Sequence, residues 1–265
     1  MTCRTAHPLT SPEPALSLRG LSKAFGPTVA VDRLDLDVPR GAFFGLVGPN
    51  GAGKTTTLSM ATGLLRPDAG TAHILGHEVW SDTVRAKQLV GILPDGLRLF
   101  DRLTGLQLIG YSGLLRGMDR AVVTDRAHEL LEALGLAEAG STLVVDYSAG
   151  MTKKIALACA LIHAPRLLVL DEPFEGVDPI SATTIRQILE GYVASGGTVI
   201  LSSHVMDLVQ RLCDRVAIVA AGQIRAVGAL DDVRAGLTLE ERFVDLVGGP
   251  TDVGEGLAWL RSSSD

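Results

Sequence analysis

Between Leu16 and Val38 apolar residues alternate with polar ones, most clearly at Leu34, Leu36 and Val38 around Asp35 and Asp37, which predicts half-buried strands in an antiparallel β region. Residues 42–47 form instead a continuous apolar run between Gly41 and Gly48. A buried strand reads this way, and it feeds a helical stretch, 54–64, that Arg66, Pro67 and Asp68 close. From about Asp101 to Leu136 the spacing becomes helical, with Leu130, Leu131 and Leu134 on one face and Asp, Arg and Glu on the other, so a small helical subdomain is expected. Beyond it, 167–170, 198–201 and 216–219 are short β-type runs separated by helical segments, the rhythm of a parallel sheet with crossover helices. Past Gly222 the spacing of Leu237, Leu239, Phe243, Leu246 and Val247 predicts a terminal amphipathic helix. The fold class is α/β: a mixed, largely parallel sheet, an N-terminal antiparallel β subdomain and an α-helical subdomain.

Composition narrows the function classes. Of 265 residues, 46% are hydrophobic and 20% charged, ordinary globular usage. A net charge of −6 leaves no basic footprint, so no nucleic-acid partner is expected. Cys3, Cys159 and Cys213 are odd in number and widely spaced, which fits neither a disulfide framework nor a zinc site and suits a reducing cytoplasm. Apolar runs such as 155–162 fall short of the roughly eighteen residues that a membrane span needs. Residues 1–14 hold three prolines and three threonines but no apolar core, and so read as a disordered tail rather than a signal peptide.

The chemistry concentrates at strand ends. Gly48-Pro49-Asn50-Gly51-Ala52-Gly53-Lys54-Thr55 satisfies GxxxxGK[ST] after a buried strand and before a helix. Its glycines let backbone N–H groups face phosphate oxygens, the helix adds its positive end, Lys54 reaches the β and γ phosphates, and Thr55 can ligate magnesium, with Thr56 behind it. The bland alternative, a Gly-rich turn with a solvated lysine, leaves the match at every fixed position unexplained. The apolar run 167–170 ends in Asp171 and Glu172; the first can hold magnesium, the second can act on a nucleophilic water. His204 follows the run 198–201 and the pair Ser202-Ser203, at another strand end where an imidazole can meet a γ phosphate. An acidic turn or a histidine near a helix start is common by itself; the company of the phosphate loop lifts both.

A third motif, Tyr147-Ser148-Ala149-Gly150-Met151, lies just before this acidic strand, and with it the chain resembles the nucleotide-binding subunit of ATP-binding cassette transporters over roughly residues 16–227. The usual form of the motif is leucine, serine, glycine, glycine, glutamine; the variant here is similar to multidrug- and antibiotic-type exporter cassettes. Ser148 offers a hydroxyl and Gly150 an uncrowded N–H at the start of an expected helix, 151–163, a second anion site. The resemblance implies that two chains pack head to tail, each ATP lying between one phosphate loop and the other chain's signature. It also implies adenine stacking by Phe25, a catalytic base at Glu172, a cross-dimer loop at Val177-Asp178 and a switch histidine at His204. Read without it, Phe25 is a half-buried strand-end aromatic. The family's usual glutamine after the strand 90–93 is replaced by Pro94-Asp95-Gly96. Asp95 is then either a carboxylate able to bind magnesium near the γ phosphate or a turn residue.

The expected organisation is a tail at 1–14, a cassette domain at 15–228 with its helical signature subdomain at about 97–163, and a helical extension at 229–265. The resemblance implies an ATP- and Mg²⁺-dependent ATPase, peripheral on the cytoplasmic face of the membrane, partnered by a separate transmembrane permease and by a second cassette. Each chain carries a complete motif set, so a homodimer can work. A soluble or regulatory cassette acting as an ATP-dependent dimer switch is the alternative, although the paired cassettes or long coiled-coil insertion usual in cassettes of translation and DNA repair do not occur in this sequence.

Overall fold

The computed structural model describes residues 13–96 and 98–248. β1 (Leu16–Phe25) and β2 (Thr28–Val38) form an antiparallel hairpin, with Leu16 opposite Val38 and Phe25 opposite Thr28 at the tip. β3 (Phe43–Val47) then runs fully buried into α1 (Lys54–Ala61). β4 (Ala69–Ile74) returns antiparallel to β1 and turns into the two-residue β5 (His77–Glu78), completing a sheet of order β2-β1-β4-β5. α2 (Thr83–Leu89) leads to β6 (Val90–Leu93).

The helical arm follows: α3 (Gly105–Leu115), whose capping box pairs Thr104 with Gln107, α4 (Arg120–Ala133), capped by Asp119, and α5 (Ala149–Leu161). Val123, Ala127 and Leu131 make the buried stripe of α4. Then β7 (Leu167–Asp171), α6 (Pro179–Ala194), β8 (Thr198–Ser203), α7 (Met206–Leu212), β9 (Arg215–Ala220), β10 (Gln223–Ala229), α8 (Leu230–Arg234) and α9 (Leu239–Val247) follow among the described residues. The second sheet has order β10-β9-β3-β8-β7-β6, parallel from β9 to β6 with β10 antiparallel at its edge.

Alternate residues of β3 serve two cores. Phe44 and Leu46 pack with the antiparallel sheet and α1, whereas Phe43 and Val47 pack with α5, α6 and the arm. A strand clothed on both faces has no polar side to show, hence the unbroken apolar run.

Several boundaries differ from the sequence expectation. α1 stops at Ala61 because Gly63 turns left-handed (φ 75°), leaving Leu64 exposed. α5 begins at Ala149 rather than 151, because Ser148 occupies the N-cap, and it ends at Leu161, shortly before Ala164 turns left-handed (φ 50°). β10 runs one residue past the expected domain edge at 228. Glu13 is part of the fold: its carbonyl accepts from Arg40 Nε at 2.8 Å. The rest of the expected tail, residues 1–12, and the far part of the C-terminal extension, 249–265, lie outside the described residues.

Candidate nucleotide site

The loop leaving β3 is built to present amides. Gly51 and Gly53 have φ of 80° and 101°, and a Cβ on Gly53 would stand 2.4 Å from the Ala30 carbonyl oxygen of β2. Because Gly53 is itself the N-cap, no side chain caps α1, and the N–H donors of its first turn stay available at the positive end of the helix. The loop is braced where Ala52 N–H donates to Pro49 O (3.1 Å) and Gly222 N–H donates to Ala52 O (3.0 Å). Gly48 and Ala52 are buried, while Pro49, Asn50, Gly51 and Thr55 are exposed and Thr56 half-buried. Lys54 is buried; its ammonium donates to the carbonyls of Gly48 (2.7 Å) and Pro49 (3.2 Å) and stands 3.7 Å from Glu172 Oε1.

β8 lies between β3 and β7, so three strand ends meet the same ligand position. Ser202 Oγ donates to Asp171 Oδ1 and accepts from the Glu172 N–H at 3.1 Å, joining β8 to the acidic end of β7. Glu172 is buried and takes a left-handed backbone (φ 45°), which costs a residue with a side chain about 1–3 kcal/mol. His204 Nδ1 approaches Glu172 Oε1 to 3.1 Å. A carboxylate only accepts, so a hydrogen bond across this distance requires the proton on Nδ1 of His204. One oxygen of Glu172 is thereby flanked by the ammonium of Lys54 and the imidazole of His204.

Thr55 and Asp171 offer hard oxygen donors on adjoining elements, the exposed hydroxyl at the start of α1 and the carboxylate whose Oδ1 Ser202 fixes; such a set fits magnesium. Asp95 has a different setting. It sits in the turn after β6, its carboxylate accepts from its neighbour Gly96 N–H at 2.8 Å, and it lines a cavity of about 420 Å³ with Tyr147, Lys153 and Glu175.

Ser148 caps α5, accepting from Met151 N–H at 3.3 Å. Gly150 is buried against the start of α6: a Cβ there would meet Asp178 Oδ2 at 2.6 Å and Ser181 Oγ at 2.8 Å, so close helix approach requires glycine. Asp178 caps α6 by accepting from Ser181 N–H (2.9 Å) and Ile180 N–H (3.0 Å), and these bonds, that from the Ser181 backbone first, hold its carboxyl below the usual range. Among the described contacts, Ser148 and Gly150 touch their own helix and α6, none of them the phosphate loop of the same chain. Phe25 is half-exposed at the β1–β2 tip, with the Lys23 ammonium 5.8 Å from its ring centre.

The structure therefore gathers Gly48–Thr55, Asp171, Glu172 and His204 into one place and leaves Ser148 and Gly150 on the arm and Phe25 on the hairpin. Sequence reading passed over Ser202 and Lys153. The first had a signal in the Ser202-Ser203 pair at a strand end; the second, in a Lys153-Lys154 pair that reads as a solvated helix face, had none.

A phosphate loop on the third strand, an acidic strand end two strands away and a helical arm in which an exposed Ser148 caps the largely buried helix α5 define a nucleotide-binding domain of the cassette class. The ABC transporter family model matches residues 31–175, and the chain belongs to that family. It is 37% identical over 228 residues to the daunorubicin/doxorubicin resistance ATP-binding protein DrrA of Streptomyces peucetius, covering 86% of this chain and 69% of that one. It is also 37% identical to the linearmycin resistance ATP-binding protein LnrL of Bacillus subtilis strain 168, covering 82% and 70%. Among solved structures, an ATP-binding subunit of an ABC transporter superposes with a TM-score of 0.81 at 29% identity, covering 88% of this chain and 99% of that one. The cbiO1 protein of Clostridium perfringens, part of an ABC transporter complex, superposes with 0.73 at 25% identity, covering 89% and 96%. The protein is an ATP-binding ATPase of the ABC transporter family.

Proposed function

We propose that this ATPase drives export: it binds a separate transmembrane permease at the cytoplasmic face, dimerises on ATP and resets by hydrolysis. The relatives' names, drug and antibiotic resistance ATP-binding proteins, support an exporter, and among the described residues no helix is long and apolar enough to cross a membrane. The observation that carries the reading is the convergence of Lys54 and His204 on the Glu172 carboxylate beside the phosphate loop.

In this reading the loop amides and Lys54 hold the β and γ phosphates, and Lys54 exchanges its present carbonyl partners for phosphate oxygens. Thr55 and Asp171 hold the magnesium ion, which when bound neutralises charge on the transferring phosphoryl group. Glu172 accepts a proton from the attacking water, and His204, whose Nδ1 stands 3.1 Å from Glu172 Oε1, holds that carboxylate and offers its ring to the γ phosphate. Ser148 and the helix end beside Gly150 complete the partner chain's site, and Phe25 stacks on adenine. Asp95, as a turn residue, stays outside the metal set.

Glu172→Gln keeps the shape and removes the base. Phosphate release should fall at least about a hundredfold, the scale of general-base catalysis, with ATP affinity retained. Turnover at the native rate would remove Glu172 from this role.

A further inference from the structure

The strained residue at the centre of the site is held from three directions. Glu172 donates its N–H to Ser202 Oγ at 3.1 Å, and its carbonyl accepts from Glu175 N–H at 3.3 Å and from Lys153 Nζ at 2.9 Å. The first hold comes from the sheet and the second from the turn that follows; the third comes from the helical arm. Lys153 lies on α5 roughly one and a half turns beyond Ser148, on the helix that would meet the other chain's phosphates.

The bond is directed. Two carboxylates, Asp95 and Glu175, line the same cavity as Lys153, yet the ammonium sits on a neutral peptide oxygen. A charge-assisted bond to the carbonyl of a left-handed residue (φ 45°) constrains the peptide that aims the Glu172 side chain. The front of α5 is anchored as well, because Gly150 is packed on Asp178 and Ser181 at the start of α6. Glu172, the segment to Asp178, the first turn of α6, Gly150 and Lys153 thus close a ring.

We propose that Lys153 is a positioning residue for ATP hydrolysis: it holds the Glu172 peptide in its left-handed turn and passes displacements of α5 to the carboxylate. A phosphate arriving at Ser148 then retunes the geometry of the base in the same chain, through a side chain that touches neither nucleotide. The inference rests on Glu172 being the base.

The test compares Lys153→Met, which keeps the stem and removes the donor, with Lys153→Arg, which keeps a cationic donor. The full chain, in excess over Mg-ATP, is followed through a single turnover, with ATP affinity and thermal midpoint measured beside it. Lys153→Met should slow phosphate release about tenfold at unchanged affinity and midpoint, Lys153→Arg should recover most of the rate, and Lys153→Met should add nothing to Glu172→Gln. A Met variant at the native rate, an Arg variant as slow as the Met variant, or rate, affinity and midpoint falling together overturns the proposal. If Glu172→Gln itself turns over, the base assignment has failed; if Glu172→Gln is silent while Lys153→Met is fast, only the positioning role has.

Discussion

Ser202 shows how much a single buried hydroxyl can organise. It is fully buried, donates to Asp171 and accepts from the Glu172 N–H, so two adjacent acidic residues at the end of β7 take their orientation from β8. Ser202→Ala leaves a buried N–H and a buried carboxylate oxygen short of a partner, a loss of about 1–3 kcal/mol in denaturant unfolding. Turnover should fall more steeply than ATP affinity, because the phosphate loop lies on another strand; an active variant of native stability would refute the assignment. The phosphate loop was legible in sequence because consecutive residues carry its whole chemistry. Ser202 and Lys153 act across space on a strand and a helix far apart in the chain, and no local pattern marks that.

At the scale of elements, the strands buried on both faces and the amphipathic arm were readable from periodicity, since each has a uniform environment. β4, β5 and α2 were not: β4 mixes Gly, Thr and His, β5 has two residues, and α2 buries only Ala86. β10, an edge strand without a buried residue, has no period to detect.

Arginines join the arm to this framework. Arg116, after α3, donates to Lys87 O (2.8 Å) and stands 2.9 Å from His163 Nε2; Arg126 of α4 donates to Ile162 O (3.0 Å). Burial first, and the charge of Arg116 second, push His163 down from 6.5 to about 4. The folded protein therefore keeps this histidine neutral where the unfolded chain takes up a proton. The stability tied to it is complete above about pH 6.5 and drains as pH falls toward about 4. Chemical denaturation at about pH 7.5 and pH 5 should cost the native chain more than His163→Gln, by about 1–2 kcal/mol after allowing for the partly exposed ring. Equal losses would assign the acid sensitivity elsewhere.

For the whole molecule, the outward placement of Ser148 makes association part of the proposed chemistry. In the Glu172→Gln background, millimolar-scale Mg-ATP should shift sedimentation from monomer to dimer, and Ser148→Arg should prevent the shift while leaving ATP bound. A dimer that forms without nucleotide, or survives Ser148→Arg, contradicts the head-to-tail arrangement.

The interposition of β8 between β3 and β7 has a metric consequence. Two strand spacings, roughly 10 Å, separate the loop-bearing strand from the acidic one, and Lys54 and Glu172 lean together across that gap. The sheet is in effect a gauge for ligand length. In the proposed reading, a phosphate chain held on Gly48–Thr55 has to extend across the end of β8 for its last phosphate to come within reach of Glu172. The pitch of the sheet, and no single side chain, thus sets the distance that the reacting phosphate must lie from the strand that bears the loop.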